Sequence, residues 1–323
     1  MDADCWFDSD KVAGPQMTAF KREARWRQHR WAVDELSVSG FGTHAGRRTQ
    51  PDVAPDEVQN GTKLREMDAK AGSNFLTPSI HAIARARVED KQEHETIDAT
   101  RLYRDLLSSM PMAFNLFGQA SLPQHEDARQ RLATLFGVNV SPPSDVVFEW
   151  SPGRRSTKYT RDRTAFDLAL RLGDPAGPRT VIGIEAKYHE HCARETMPSA
   201  WNPEAVRRHE AQSDFLVAIA ERSGAFKPGW QQRVLGTELR QIWRDHLLAL
   251  SMREHPELWT RQTRYVLIYP GRNVSFRDAV ESYAQILVEA DTSFQAFTIE
   301  SVLEAAFDDD DPAQGDFRRR YLW

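Results

Sequence analysis

Two acidic residues and a lysine lie on neighbouring segments that the sequence predicts to be paired strands. The segments 164–172 and 180–188 are rich in apolar residues and are separated by the turn sequence GDPAGP. A hairpin folded at the middle of that turn places Asp167 directly opposite Glu185, and Lys187 projects to the same side as Glu185. The register therefore predicts two carboxylates and an ammonium group side by side.

Such a cluster could bind a divalent cation. Like charges directly opposite each other on paired strands are destabilising by up to about 1 kcal/mol on an exposed face. The penalty increases when the charges are partly buried. Mg²⁺ offsets this repulsion, because it prefers one or two carboxylates together with waters and phosphate oxygens. Glu149, on the preceding predicted strand, is a candidate third carboxylate. The alternative is a salt-bridged surface strand in which Lys187 only neutralises Glu185.

The hairpin and the strand before it form a predicted strand meander between helices. Along the hairpin, the period of two places Phe166, Leu168 and Leu170 on one buried face, with Tyr188 pointing into the core. Pro111 is expected to kink or break its helix. Helices are predicted over 20–31, 79–95, 100–117, 123–137, 203–222, 237–254, 276–290 and 301–307, and further strands over 146–150, 264–269 and 294–299.

Composition limits the class of protein. The chain has 323 residues, of which 40% are hydrophobic and 28% are charged, so it can bury a sizeable core. It carries only two cysteines and a net charge of −5, which argues against a disulfide framework and against a wholly basic protein that wraps nucleic acid. The acidic N-terminus does not resemble a signal peptide, and no apolar stretch is long enough to span a bilayer. We expect a cytoplasmic protein.

The pattern Asp167…Glu185-Ala186-Lys187 resembles the PD-(D/E)xK nuclease superfamily. One position departs from the motif, since Phe166 stands where the motif name has Pro. Further segments are similar to a bacterial branch of that superfamily that bears the name restriction endonuclease. These segments are NFLTP (74–78), RLYRDLLSSMPMAFNLFG (101–118), FEWSPGR (148–154), IGIEAKYHE (182–190) and WRDHLLALS (243–251).

The resemblance implies an α/β fold with a mixed sheet, a restriction-endonuclease-like α-β-β-β-α-β core and additional N-terminal helices. It implies Mg²⁺-dependent hydrolysis of DNA by an endonuclease, with Mn²⁺ able to substitute, in restriction or phage defence. Asp167 and Glu185 match the metal-binding acids, and Lys187 matches the catalytic lysine. Glu149 is our match for an additional upstream acid, and the backbone carbonyl of Ala186 is a further expected ligand.

Other residues are candidates for binding DNA. Arg154 and Arg155 follow a tight Ser-Pro-Gly turn and could hold backbone phosphates, although they could equally be exposed loop arginines. Gln241 and Arg244 lie on the polar side of the predicted helix 237–254, where the superfamily often presents polar groups to the site.

We predict three regions in the chain. Residues 1–95 form an N-terminal helical and extended region, residues 96–307 form the nuclease-like domain, and residues 308–323 form an acidic and then basic C-terminal tail that is expected to be solvated. DNA is the expected partner, and neither a membrane nor an organic cofactor is expected. A homodimer is compatible with this reading, because cutting both strands of a duplex often uses two active sites.

Three other functions stay open from the sequence. The same core could belong to a nuclease that acts on DNA ends, on junctions or on RNA. It could also be a DNA-binding module that keeps the fold without cutting, although the intact Asp-Glu-Lys set argues against this. Finally, the carboxylates could serve only in the ion pairs of a structural or regulatory protein.

Overall fold

The computed structural model describes residues 18–43, 60–95, 97–308 and 311–323. Five strands are present in these ranges: β1 (Ser144–Trp150), β2 (Phe166–Leu172), β3 (Thr180–Ala186), β4 (Arg264–Tyr269) and β5 (Phe294–Thr298). The α-helices there are α1 (Ala19–Asp34), α2 (Glu66–Lys70), α3 (Pro78–Glu89), α4 (Ala99–Arg104), α5 (Ser109–Phe117), α6 (Glu126–Leu135), α7 (Pro203–Ser223), α8 (Gln231–Val234), α9 (Arg240–Arg253), α10 (Val274–Ala284), α11 (Ile299–Ala306) and α12 (Pro312–Tyr321).

The strands form one mixed sheet in the order β1-β2-β3-β4-β5. The pairs β1–β2 and β2–β3 are antiparallel, whereas β3–β4 and β4–β5 are parallel. This difference follows from the connections, because a short turn joins β2 to β3 while α7 to α9 cross over between β3 and β4. The predicted α-β-β-β-α-β core is therefore confirmed as α6, β1, β2, β3, α9 and β4, with β5 as an added strand.

The register of the central hairpin is the predicted one. Leu168 pairs with Ile184, and Leu170 pairs with Ile182. If this register continues by one residue beyond the pair of Leu168 and Ile184, Asp167 lies opposite Glu185. The four apolar residues of these two pairs therefore share a face, as the sequence pattern required.

Both faces of the sheet are buried, so the expectation of a single buried face is wrong. One face packs against α3, α5, α6, α11 and α12 to form what we call core 1, which includes Leu168, Ile184 and Tyr188. The other face packs against α7, α9 and α10 to form core 2, which includes Ala169 and Val181. A strand that is central and paired in parallel is covered on both sides, which explains why β3 is buried throughout. No helix within the described ranges could cross a membrane.

Phe166 lies on the opposite face from the one that alternation predicts. It belongs to core 2, whereas Leu168 and Leu170 belong to core 1. The ring occupies space that a glycine leaves open, since a Cβ added at Gly183 would lie 2.4 Å from it. Trp150 stacks on the same ring with 6.4 Å between centroids. Packing against these two neighbours therefore overrides the strand period at the first residue of β2.

The single helix predicted over 100–117 is two helices. Asp98 caps α4 and Ser108 caps α5, each by accepting a backbone N–H with its side chain. Pro111 does not cause the break, because it lies in the first turn of α5. Backbone N–H groups in the first turn have no partner within the helix, so proline is tolerated there.

The C-terminal segment is not a solvated tail, and that expectation is wrong. Phe317 and Tyr321 are fully buried in core 1, four residues apart on one face of α12. Arg320 is 1% exposed and donates to the side chains of Gln28 on α1 and Asn74. Core 1 therefore contains residues from each of the three predicted regions. Their boundaries stay a prediction.

His246 is a buried histidine whose two ring nitrogens both have hydrogen-bond partners. Its Nδ1 lies 2.9 Å from the hydroxyl of Tyr283, and its Nε2 lies 2.7 Å from the hydroxyl of Ser293. Burial, together with the charge of Arg253, lowers the pKa of His246 to about 3. The folded protein therefore keeps this ring neutral well below the pH at which the unfolded chain protonates it, near 6.5.

Replacing His246 with Gln is expected to make the protein less sensitive to acid. Between pH 6.5 and 3 the unfolded state binds the extra proton, so this residue makes the free energy of unfolding decrease as the pH decreases, by at most about 1.4 kcal/mol per pH unit. Gln can keep both hydrogen bonds but does not titrate. The free energy of unfolding, measured by urea denaturation, should decrease between pH 7.5 and pH 4.5 by about 2 kcal/mol more in the wild type than in the variant. Equal losses would contradict the prediction.

Candidate active site

A cleft of about 660 Å³ opens beside the hairpin and α9. Charged side chains dominate its wall, and the loop between β3 and α7 contributes part of the rim. The acids of the wall are Glu149, Asp167, Glu185, Glu195 and Asp245, and its arginines are Arg101, Arg163, Arg240 and Arg244.

The hairpin brings Asp167, Glu185 and Lys187 together. The Asp167 carboxylate accepts a hydrogen bond of 2.8 Å from the backbone N–H of Ala186. The Lys187 ammonium donates to Oε1 of Glu185 at 2.6 Å. Lys187 is held in place by its own backbone N–H, which donates to the carbonyl of Ile268 on β4. The backbone of three adjacent strands therefore positions this group.

The acids are crowded beyond what one ammonium offsets. Burial and then the charges of Glu185 and Glu149 raise the pKa of Asp167 well above its usual value. Burial and then Glu185 raise the pKa of Glu149 to about 7. Although burial disfavours its charge, the pKa of Lys187 is also raised, by Glu185 and Asp167. The site therefore keeps Lys187 charged and favours an additional cation.

Glu149 reaches the cleft from a strained position on β1. Its φ of 51° is in the left-handed region, which a residue other than glycine adopts at a cost of about 1–3 kcal/mol. Two guanidinium groups hold this conformation by donating to the Glu149 carbonyl, Arg154 at 2.8 Å and Arg87 at 3.3 Å. The Glu149 side chain is only 6% exposed. The backbone distortion therefore lies directly at the acid that turns toward Glu185.

The two arginines predicted to hold phosphates have different surroundings. The Arg154 side chain is 8% exposed and forms an ion pair of 3.3 Å with Glu95, which also pairs with Arg87 at 2.7 Å. Arg154 therefore supports the strand end at Glu149 and is not among the residues that line the cleft. Arg155 is exposed, so its contact with DNA stays a prediction.

Helix α9 presents the two predicted polar residues to the cleft. Gln241 donates to Oε1 of Glu185 at 3.4 Å. Arg244 donates to Oδ2 of Asp162 at 2.9 Å. Both residues line the cleft. A substrate phosphate that binds Arg244 therefore competes with Asp162, whereas Gln241 is already connected to the acids.

Five charged residues of the wall were not selected from the sequence: Arg101, Arg163, Glu195, Arg240 and Asp245. Asp245 lies one turn beyond Gln241 on α9, so the i, i+4 spacing could have revealed it. Glu195 and Arg240 form an ion pair of 3.1 Å between the loop after β3 and the start of α9. No sequence signal indicates that pair, because the two residues are distant in the chain and meet only through the fold.

The donor set fits a hard divalent cation. Carboxylate and carbonyl oxygens suit Mg²⁺ or Mn²⁺, and none of the acids is accompanied by a cysteine or histidine among the residues that line the cleft. Within the described parts of the chain, no three His, Cys, Asp or Glu residues are grouped closely enough to hold a metal ion. A cation held by more than two of these acids would therefore require their side chains to move closer together.

A mixed sheet whose antiparallel hairpin joins two acids and a lysine at a charged cleft defines a class of metal-dependent nucleases. The model of the PD-(D/E)XK nuclease superfamily matches residues 10–323, so the chain belongs to that superfamily. Neither the curated proteins nor the solved structures contain a significant match to the chain. Membership means a nuclease, with a nucleic acid as substrate, and proteins of this superfamily generally use divalent metal ions.

Proposed function

We propose that this protein is a Mg²⁺-dependent endonuclease that hydrolyses phosphodiester bonds of DNA. The observation that carries the proposal is the contact of 2.6 Å between Lys187 and Glu185, beside Asp167 and next to a cleft lined by five acids and four arginines. A purely structural ion pair would not need three further carboxylates with raised pKa values around it.

Asp167 and Glu185 are the residues that would hold the cation. Glu149 and the backbone carbonyl of Ala186 complete the proposed donor set, and Mn²⁺ should substitute for Mg²⁺. When bound, the metal would supply Lewis-acid polarisation of the phosphate and a water of lowered pKa. The raised pKa values of Asp167 and Glu149 are consistent with this role, because a divalent cation removes the repulsion that raises them.

Lys187 acts on the negative charge of the reaction. Its neighbours keep it protonated, so it is suited to stabilise charge that develops on the phosphate oxygens and not to accept a proton. Gln241 holds Glu185 from the α9 side and so fixes the carboxylate that pairs with Lys187. Arg244 and the exposed Arg155 are proposed to bind DNA backbone phosphates.

The proposed biological role is based on the sequence resemblance. The flanking segments are similar to proteins that bear the name restriction endonuclease, so we propose a function in restriction or phage defence. A homodimer would supply two active sites for the two strands of a duplex. Analytical ultracentrifugation of the protein with and without duplex DNA measures whether two chains associate.

Supercoiled plasmid is expected to be nicked or linearised by the purified protein in the presence of Mg²⁺ or Mn²⁺, and to stay intact in EDTA. Closed circular DNA excludes an exonuclease, because it has no ends. Linear duplex, single-stranded DNA, a branched junction and RNA, tested in parallel, identify the preferred substrate. If the plasmid stays supercoiled with both metals while another of these substrates is cut, the proposed endonuclease activity is wrong. The activity on that other substrate then takes its place.

A further inference from the structure

We infer that Asp245 is a further carboxylate of the divalent-cation site, so that α9 forms a second wall of that site opposite the hairpin. This inference rests on the proposed metal-dependent function. It adds a residue outside the hairpin to the acids that the sequence motif provides.

The first argument is an unsatisfied oxygen. Asp245 is only 7% exposed, and it lines the same cleft as Asp167 and Glu185. Its Oδ2 is buried and has no hydrogen-bond partner among the described residues. A buried carboxylate oxygen without a partner is unfavourable, since it loses its hydration and gains nothing in return. An unpaired carboxylate oxygen beside a cleft indicates that a bound ligand pairs with it.

The second argument concerns the charges nearby. Burial and then the charge of Glu185 raise the pKa of Asp245, so the two carboxylates repel each other. The two cations whose charges act on Asp245 are engaged with other acids: Lys187 donates to Glu185, and Arg244 donates to Asp162. A divalent cation shared by Asp245 and Glu185 would relieve the repulsion and satisfy the free oxygen.

The third argument is rigidity. Residues on either side of Asp245 anchor α9, because Trp243 is 0% exposed within core 2 and His246 is also 0% exposed. One turn earlier, Gln241 contacts Glu185 at 3.4 Å and so ties α9 to β3. A small movement of the helix therefore cannot carry Asp245 away from the cleft.

A structural role for Asp245 is the alternative. The hydroxyl of Tyr265 is also buried without a hydrogen-bond partner among the described residues. Its pKa is raised by burial and then by Asp245, which indicates that the two groups are neighbours. If Asp245 served only to pair with Tyr265, then removing the hydroxyl would have the same effect as removing the charge.

Calorimetric titration of the metal-free full-length protein with Mn²⁺ separates the two roles. We expect Asp245→Asn to weaken Mn²⁺ binding by about tenfold or more, and Tyr265→Phe to bind Mn²⁺ like the wild type. Asp167→Asn serves as the reference for loss of a principal ligand. Thermal unfolding in EDTA checks that each variant is folded, and Asp245→Asn should not unfold earlier than the wild type, because it removes an unpaired buried charge.

The outcomes are distinct. Unchanged Mn²⁺ affinity in Asp245→Asn, or an equal loss in Tyr265→Phe, would overturn the inference while leaving the nuclease proposal in place. A wild type that neither binds Mn²⁺ nor cuts any nucleic acid would overturn both. A wild type that binds Mn²⁺ through Asp245 without cutting DNA would support the cation site and reject the proposed endonuclease.

Discussion

Replacing Lys187 with Met is expected to reduce the rate of DNA cleavage by about 10²- to 10³-fold, the usual effect of removing one charged or hydrogen-bonding group that stabilises a transition state. Met keeps the length of the apolar stem but removes the ammonium that donates to Glu185. Cleavage of plasmid under single-turnover conditions with saturating Mg²⁺ measures the chemical step. Retention of the wild-type rate would remove Lys187 from the mechanism.

Stability must be measured with the same variant. Lys187 and Glu185 are about nine-tenths buried, and breaking a buried pair costs about 3–5 kcal/mol when it leaves a charge behind. The cleavage assay should therefore be run at a temperature well below the unfolding midpoint of the variant. Lys63→Met is the matched control, since Lys63 also pairs with a carboxylate, that of Asp105 at 3.5 Å, but this carboxylate does not line the cleft, whereas Glu185 does. We expect this control to cut DNA normally.

Replacing Asp167 with Asn is expected to abolish metal-dependent cleavage and yet to stabilise the metal-free protein. The pKa of Asp167 is raised in the folded state by burial and by Glu185 and Glu149. The folded state therefore binds more protons than the unfolded state above pH 4, and stability decreases as the pH rises through the folded pKa. Asn carries no charge, and its carbonyl can still accept the N–H of Ala186. In EDTA at pH 8 the variant should unfold at a higher temperature than the wild type.

Adding Mg²⁺ should reverse the order of the two proteins. A ligand that binds only the folded state stabilises it by about 2.7 kcal/mol at a concentration of 100 times its Kd. The wild type should gain this stability and Asp167→Asn should not. Thermal unfolding with and without Mg²⁺ provides the comparison, and a variant that gains as much as the wild type would show that Asp167 does not hold the metal.

The control for this experiment lies on the neighbouring strand. Asp145 on β1 is bound by Arg171 and by Arg179, the latter at 2.9 Å, and these partners lower its pKa despite partial burial. Asp145→Asn should therefore destabilise the metal-free protein, by about 1 kcal/mol or less because the side chain is 43% exposed. Its cleavage activity should be normal. The two Asp→Asn changes thus have opposite expected effects on stability for opposite electrostatic reasons.

Local patterns predicted the centre of the fold. The turn between the two apolar segments and the strand period of two were enough to place Asp167 opposite Glu185 in the observed register. The same period failed at Phe166, because the space above Gly183 depends on a residue of another strand. The break before α5 was expected at Pro111, but it lies at the cap Ser108, where no strand or helix period marks it.

Sequence alone determined which residues share the hairpin and what chemistry they can perform, because register and side-chain alternation depend on near neighbours in the chain. Only the tertiary structure decided which other groups surround them. Arg154 is engaged by Glu95, and α9 brings Asp245 to the cleft. The C-terminal helix fills core 1. The burial of these side chains and their contacts depend on elements that are far apart in the chain. The periodicity of a single segment therefore cannot predict them.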